Sequence, residues 1–176
     1  MKFKDTSLTG VFVIEVEPIH DKRGFFARTW SRDLFEAKGL NSALSQISIS
    51  FNLKRGTLRG LHYQERPYQE AKLVRCTAGA IYDVVLDLRS DSRTFKQWTA
   101  VNLAASSRTA IYIPEGCAHG FQTLEDETEV LYQISEAYHA ESARGVRWDD
   151  PSFDISWPLA ERIMSERDES FPNFSQ

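Results

Sequence analysis

The stretch KLVRCTAGAIYDVVLDLR, residues 72–89, decides the fold. It holds two apolar, β-branched runs, at residues 73–74 and 81–88, and Gly79 separates them, which is the pattern of short strands broken by a turn residue. Further runs of this kind follow or precede it at short intervals, at residues 11–16, 98–103, 110–113 and 129–135. This spacing predicts an all-β sandwich, barrel or jelly roll. Alternating βαβ units are missing from the pattern, which argues against a doubly wound parallel sheet.

Two short helices complete the expected architecture. Ser31 is placed to cap a helix that has Asp33 in its first turn and ends at Gly39. Residues 158–167 predict a second, weaker helix near the C-terminus. A chain of 176 residues is expected to form a single domain, residues 1–176.

Composition narrows the class of protein. With 41% hydrophobic and 26% charged residues the chain is ordinary for a globular protein, not a disordered one. A net charge of −4 argues against nucleic acid as the main partner. The apolar runs are too short and too charged to span a membrane. The N-terminal residues MKFKDTSLTG lack the apolar core of a signal peptide, so a cytoplasmic protein is expected.

Positive charge is concentrated in one segment. Residues 54–75 carry six basic and two acidic side chains, although the whole chain is acidic. A local basic cluster in an acidic protein suits a small anionic ligand better than a polymer. The alternative is a solvated basic surface.

The common catalytic motifs for phosphate and acyl chemistry are absent, and no metal or cofactor is expected. The sequence has no GxxxxGK[ST], GxGxxG or GxSxG motif. Small β-barrel enzymes that bind metal often carry two histidines one residue apart, but here Gln64 stands where the second would follow His62. The two cysteines, Cys76 and Cys117, are isolated and are expected to be reduced.

Several polar residues lie within predicted strands, and each has two interpretations. Strand parity puts Tyr132 on the same inward face as Val130, either as an ordinary core tyrosine or as a functional group. His62 is either structural or catalytic. Lys72 either extends to the rim or meets an anion inside the barrel. His119 follows a turn and would, alone, be a turn residue.

Seven motifs in order resemble the dTDP-4-dehydrorhamnose 3,5-epimerase family, over about residues 8–172. They are RGLHYQ (59–64), KLVR (72–75), GAIYDVVLDLR (79–89), IPEGCAHGFQTL (113–124), EVLY (129–132), RGVRWDDP (144–151) and SERD (165–168). The resemblance implies a cupin-like jelly-roll β-barrel that forms a homodimer and uses no metal or redox cofactor. It also implies a role in deoxysugar biosynthesis, through epimerisation of a nucleotide-linked 4-keto-6-deoxy sugar at C5 and C3.

The resemblance implies a catalytic role for four residues. His62 would be the general base, Asp168 its carboxylate partner, and Tyr132 the acid that returns a proton from the opposite face. Lys72 would stabilise the enolate oxygen at C4. Substrate-binding roles are implied for further residues: Arg23, Gln46, Arg59 and His119 would hold the nucleotide and pyrophosphate, and Phe26 and Tyr138 would sandwich the base.

The chain departs from the family's pattern at three positions. Arg28 stands where an acid is usual near the base, Ser48 where Asn is frequent, and Arg167 where the family's SxKD has Lys. These differences leave the nucleotide open between dTDP, CDP and others. They also leave open a single-site epimerase, a keto-isomerase, or a barrel that binds a nucleotide sugar without turnover.

One geometric conflict accompanies the resemblance. Arg59 and His62 lie three residues apart, so on a regular strand they face opposite sides. Either a β-bulge or a position of Arg59 at the rim would bring both to one site.

Overall fold

The computed structural model describes residues 1–174, which form two facing antiparallel sheets. The strands are β1 (Lys2–Asp5), β2 (Phe12–Glu15), β3 (Ile19–Asp21), β4 (Gly24–Phe26), β5 (Gln46–Asn52), β6 (Leu58–Gln64), β7 (Lys72–Ala78), β8 (Ala80–Asp87), β9 (Trp98–Ala104), β10 (Ala110–Ile113), β11 (Cys117–Thr123), β12 (Thr128–Ile134) and β13 (Ala143–Gly145). The helices are α1 (Arg32–Ala37) and α2 (Glu166–Glu169).

Strands that follow one another in the sequence often belong to different sheets. One sheet has the order β1-β2-β10-β7-β12-β5 and the other β13-β6-β11-β8-β9. Strands β3 and β4 form a separate hairpin. The fold is therefore the predicted all-β jelly-roll barrel, and all six strands read from the apolar runs are present as β2, β7, β8, β9, β10 and β12.

Apolar side chains from both sheets fill the space between them. Val74 and Val130 of the first sheet pack in one cluster with Val85 and Phe121 of the second, and all four are fully buried or nearly so. Burying an aliphatic or aromatic side chain of this kind contributes about 1.5–3 kcal/mol. The core occupies part of the barrel, and polar side chains line the rest.

The two helical predictions differ in outcome. Helix α1 follows Ser31 as predicted, although the Ser31 hydroxyl makes no capping hydrogen bond, and Gly39 adopts a φ of 75° just beyond it. The helix predicted over residues 158–167 is wrong for most of its length, because only Glu166–Glu169 is helical. The backbone of Ile163 is instead bonded to the start of β6, which holds this segment extended.

Among the described residues, no helix combines the length and the apolar character needed to cross a bilayer.

Candidate active site

A cavity of about 290 Å³ opens between the two sheets at the end not filled by the apolar core. Strands β5, β7 and β12 form one wall, and strands β6 and β11 form the other. The polar residues that line it are Ser48, Ser50, Arg59, His62, Lys72, His119 and Tyr132. Five of the residues predicted to be functional, from four separate motifs, therefore converge here, together with Ser48.

A β-bulge in β6 brings Arg59 and His62 to the same wall. His119 of β11 lies opposite His62 and Phe121 lies opposite Arg59, so two steps on one strand face three on the other. Gly60 lies within the bulge with a φ of 119°, and a Cβ there would lie 2.5 Å from the Cα of Gly120. Only glycine allows this approach. Of the two solutions considered for the parity conflict, the bulge is correct.

His62 is paired with a carboxylate from the C-terminal segment. Its Nε2 lies 2.7 Å from Oδ1 of Asp168, and the other Asp168 oxygen accepts a hydrogen bond of 3.1 Å from Gly60 N. Burial raises the pKa of Asp168, but the hydrogen bond and charge of His62 outweigh burial and bring that pKa below its usual value. The Asp168 carboxyl is therefore an anion at neutral pH, able to orient the ring and stabilise its protonated form.

A second histidine–carboxylate pair, which the sequence did not reveal, lies beside the first. His119 Nε2 is 2.8 Å from Oδ2 of Asp83 on β8. Burial raises the pKa of Asp83, and the nearby His119 and Lys72 only partly oppose it. Among the described residues the other oxygen, Oδ1, is buried without a hydrogen-bond partner. The only signal in the sequence was a carboxylate inside the apolar run 81–88.

Lys72 is held inside the barrel. Its Nζ pairs with Oε1 of Glu70 at 2.8 Å and donates to the carbonyl oxygen of His62 at 3.2 Å. Its side chain is 10% exposed, so the interpretation in which it extends to the rim is wrong. An ammonium has three N–H donors, and these two contacts leave one for a ligand. Glu70 was not identified from the sequence.

Tyr132 lies on the wall opposite His62. It packs against the main core cluster, as strand parity predicted, and its ring meets His119 edge-on at 6.0 Å between centroids. Burial raises its pKa well above the usual value, and the charge of Asp83 adds to this while Arg59 opposes it. The hydroxyl is therefore protonated over the whole neutral range and available as a proton donor.

A second cavity of about 210 Å³ continues from the first, sharing His62, Lys72 and Ile134. Gln46 and Tyr138, two of the predicted nucleotide-binding residues, line it. Arg144 and Arg167 line it as well, and the second of these stands at the family's lysine position. Together the two cavities are lined by four cationic side chains, those of Arg59, Lys72, Arg144 and Arg167.

Three predicted binding residues lie elsewhere. Arg23 and Phe26 belong to the β3–β4 hairpin and Arg28 follows it; all three are exposed, and none is among the described residues that line either cavity. Arg23 is bound to Asp21 at 2.6 Å.

The basic cluster of the sequence is likewise divided in space. Only Arg59 and Lys72 reach the cavity between the sheets. Lys54 and Arg55 contact Asp126 at the surface, and Arg75 donates to the carbonyl oxygen of Thr29. The cluster is therefore not a single anion-binding surface, and two of its members contribute positive charge to the cavity between the sheets.

Within residues 1–174 there is no group of three His, Cys, Asp or Glu side chains arranged to hold a metal ion. Cys76 and Cys117 are free and buried. Burial raises their pKa values to about 11 and about 12, so both are packed as neutral thiols.

A larger groove of about 560 Å³ lies elsewhere on the surface. Arg66, Arg89 and Glu115 are among its lining residues. Arg89 is already paired with Asp87 at 2.8 Å, and no histidine lines the groove. The smaller cavity between the sheets is the better candidate because its ionisable groups converge on one space.

A jelly-roll barrel whose cavity brings together a histidine–carboxylate pair and a protonated tyrosine from facing sheets fits the class of acid–base isomerases. Comparison with known proteins gives the particular family. Residues 5–176 match the family model described as dTDP-4-dehydrorhamnose 3,5-epimerase. The chain belongs to this family and is an epimerase, which confirms the resemblance seen in its motifs.

The similarity extends over nearly the whole chain. The dTDP-4-dehydrorhamnose 3,5-epimerase of Methanothermobacter thermautotrophicus is 44% identical over 97% of this chain and 92% of the relative. The crystal structure of the Elizabethkingia anophelis enzyme superposes with a TM-score of 0.96 at 36% identity, covering 99% and 96% of the two chains. That of the Bacillus anthracis enzyme, with TDP and PPi bound, gives a TM-score of 0.94 at 38% identity, covering 98% and 99%.

Proposed function

We propose that this epimerase inverts C5 and C3 of a dTDP-linked 4-keto-6-deoxyhexose through an enolate, with no cofactor. One observation carries the proposal: His62, backed by Asp168, and Tyr132 face each other across a cavity that also contains Lys72. The names of the relatives support the sugar nucleotide and the positions of reaction.

His62 removes the proton from the carbon next to the ketone. Because its Nε2 is engaged by Asp168, the lone pair available to substrate is on Nδ1. As the proton moves to Nδ1, the C–H electron pair forms the C–C double bond of the enolate, and the carbonyl electrons move to the C4 oxygen. The Asp168 carboxylate stabilises the imidazolium that results.

Lys72 stabilises the negative charge on the C4 oxygen. Its ammonium is already fixed by Glu70 and by the His62 carbonyl, so little reorganisation is needed when the charge develops. Preorganised donors of this kind give one of the largest single contributions to enzymatic rate.

Tyr132 completes the inversion by donating its proton to the other face of the enolate. Inversion needs a base and an acid on opposite sides of the carbon, and the two sheets supply them from facing walls. The phenolate and the imidazolium then exchange protons with solvent, and the site returns to its starting state.

We propose that the protein works as a homodimer. Strand β5 is an edge strand, and its outward side chains Ile47, Ile49 and Phe51 are 50–62% exposed. Such an edge with an apolar face favours pairing with a second chain. In a dimer the exposed hairpin could deliver Arg23, Phe26 and Arg28 to the partner's nucleotide, which would reconcile their predicted roles with their distance from the cavity of their own chain.

We propose a cytoplasmic location as well. The two buried free thiols support it, because reducing compartments favour unpaired cysteines.

Proton NMR of dTDP-4-keto-6-deoxyglucose with the protein in deuterated water tests the function. We expect deuterium at both C3 and C5 and appearance of the inverted sugar, with both lost in His62→Asn. His139→Asn is the matched control, because this histidine stacks on Tyr68 at 3.6 Å, outside the lining of either cavity.

Deuterium at one carbon only would replace the proposal by a single-site epimerase, and migration of the ketone would replace it by a keto-isomerase. Binding without exchange of either the dTDP- or the CDP-linked sugar would make the protein a non-catalytic binding barrel. Exchange with the CDP-linked sugar alone would overturn the nucleotide assignment.

A further inference from the structure

The C-terminal segment that carries Asp168 is fastened to the barrel upstream of the carboxylate. The buried side-chain amide of Gln122 donates to the carbonyl oxygens of Leu159 and Glu161 at 3.2 and 3.1 Å. Ile163 is bonded through its backbone to Gly56 and Leu58 at 3.0 and 2.9 Å. These contacts guide the chain to α2, but they end five residues before Asp168.

Helix α2 is too short to fix Asp168 on its own. It spans only Glu166–Glu169, and Ser165 Oγ caps it by accepting from Asp168 N at 3.2 Å. A single helical turn has little intrinsic stability. The Asp168 carboxylate itself accepts a hydrogen bond from Gly60 N, and a contact on the far side of Asp168 would in addition hold the backbone of α2.

Phe171 supplies that contact and touches the histidine as well. Its ring meets the His62 ring edge-on, with centroids 5.8 Å apart and planes at 74°. It also occupies the space where position 145 lacks a side chain, since a Cβ on Gly145 would lie 2.2 Å from two ring atoms. Gly145 is the register partner of His62 on the neighbouring strand β13.

We propose that Phe171, seated on Gly145, is a positioning residue that holds both members of the His62–Asp168 pair in their working geometry. The inference rests on the proposed function, in which this pair is the base. The His62 side chain is 41% exposed even with Phe171 in place, so the barrel wall covers only part of its ring. Phe171 contacts this ring, and through the three-residue link to Asp168 it sets the distance between carboxylate and ring.

Phe174 provides a matched control from the same segment. Its ring packs on Phe153 at 5.5 Å and its backbone N donates to Asp150, so it anchors the segment without contacting His62. Truncation of Phe174 and truncation of Phe171 remove the same atoms, but only the second removes a contact to the pair.

The test combines kinetics with carbon-13 NMR titration of the Asp168 carboxyl in Phe171→Ala, Phe171→Leu, Gly145→Ala and Phe174→Ala. For Phe171→Ala we expect kcat to fall by about 10²-fold with KM within about threefold, because small displacements of reacting groups cost this much. The Asp168 carboxyl should titrate closer to the ordinary pKa of aspartate as the His62 contact weakens. Phe171→Leu should restore part of both changes, and Phe174→Ala should leave kcat and the titration near wild type.

Gly145→Ala is the second route to the same effect, because its methyl group must displace the Phe171 ring. Unchanged kcat and unchanged titration in either Phe171→Ala or Gly145→Ala would overturn the positioning role. Equal losses in Phe174→Ala would overturn it too, since general anchoring of the segment would then explain the data. If the wild-type protein exchanges no substrate hydrogen, the proposed function fails, whereas the carboxyl titration still decides whether Phe171 positions Asp168.

Discussion

Two histidine–carboxylate pairs lie side by side on the same wall of the barrel, and their surroundings give them opposite properties. His62 and His119 are direct register partners on β6 and β11, and each ring nitrogen lies within 2.8 Å of its carboxylate. The His62 side chain is 41% exposed, whereas that of His119 is 4% exposed. The first pair is therefore open to the cavity and to solvent, whereas the second is buried in the cavity wall.

The carboxylates report the same difference through their pKa values. The pKa of Asp168 lies below its ordinary value because the His62 contact outweighs burial, and that of Asp83 lies above it because burial outweighs the His119 contact. Contacts of similar length, 2.7 and 2.8 Å, therefore shift the two carboxyl pKa values in opposite directions. Burial thus distinguishes the pair that serves as the base in the proposed function from the pair whose histidine packs edge-on against Tyr132.

The largest expected effect is on the open pair. Asp168→Asn should lower kcat by about 10³-fold, within the range for loss of general acid–base catalysis, because the ring loses the anion that orients it and stabilises its charge. The NMR exchange assay measures this loss. A normal kcat in this variant would contradict the role of the pair.

Breaking the buried pair should cost stability instead. His119→Ala leaves Asp83 fully buried without its partner, and loss of one member of a buried pair costs about 3–5 kcal/mol. Urea unfolding measures the change in the free energy of unfolding. The comparison variant His62→Ala should cost clearly less, since Gly60 N still donates to Asp168. Equal costs would erase the distinction between the two pairs.

Tyr132→Phe separates proton removal from inversion. His62 should still take the substrate proton and return one from the same face, so deuterium should continue to enter the starting sugar. Formation of the inverted sugar should fall by about 10²-fold, because the donor on the opposite face is gone. Mass spectrometry of recovered substrate and product distinguishes the two rates, and an equal fall in both would contradict the assignment of Tyr132 as the acid.

The pH dependence of stability should have opposite signs for the two carboxylates. Asp168 has a lowered folded-state pKa, so its contribution is present above the unfolded pKa of about 3.9 and is lost as pH falls through the folded value. Asp83 has a raised pKa, so its contribution is present below about 3.9 and is lost as pH rises through the folded value.

Urea unfolding of Asp168→Asn and Asp83→Asn between pH 3 and pH 7 measures both slopes against wild type. The stability advantage of wild type over Asp168→Asn should shrink toward pH 3. Relative to wild type, Asp83→Asn should gain stability toward pH 7. Each unit of pKa change corresponds to about 1.4 kcal/mol, so these are the smallest of the expected effects. Slopes of the same sign would show that burial does not separate the pairs.

The sequence predicted the six apolar strands well, but it did not predict strand β5. Strand β5 was missed although QISISFN alternates, because its polar residues face the cavity and its apolar residues Ile47, Ile49 and Phe51 are exposed. This reverses the usual orientation, so the pattern alone did not mark it as part of the barrel. The apolar runs of β7 and β8 face the apolar core, so they followed the usual rule that apolar side chains point inward.

The site could be predicted where a motif carried it, but not where distant segments meet. Asp83 and Glu70 were missed as partners of His119 and Lys72 because strand spacing does not say which side chains share a face across two sheets. The helix over residues 158–167 failed for a related reason. Its backbone is bonded to β6 and its course is set by Gln122, contacts that local propensity does not encode.

The close approach of Gly60 to Gly120 has a consequence for what the site can accept. By inserting one extra residue between Arg59 and His62 on a single wall, the bulge fixes how far apart these two side chains lie along strand β6. In the proposed function Arg59 binds the anionic group of the substrate, and His62 meets the carbon that loses its proton. In the proposed function this fixed spacing sets the distance between phosphate and reacting carbon that the site accepts, and we expect sugars whose phosphate lies nearer or farther to bind poorly.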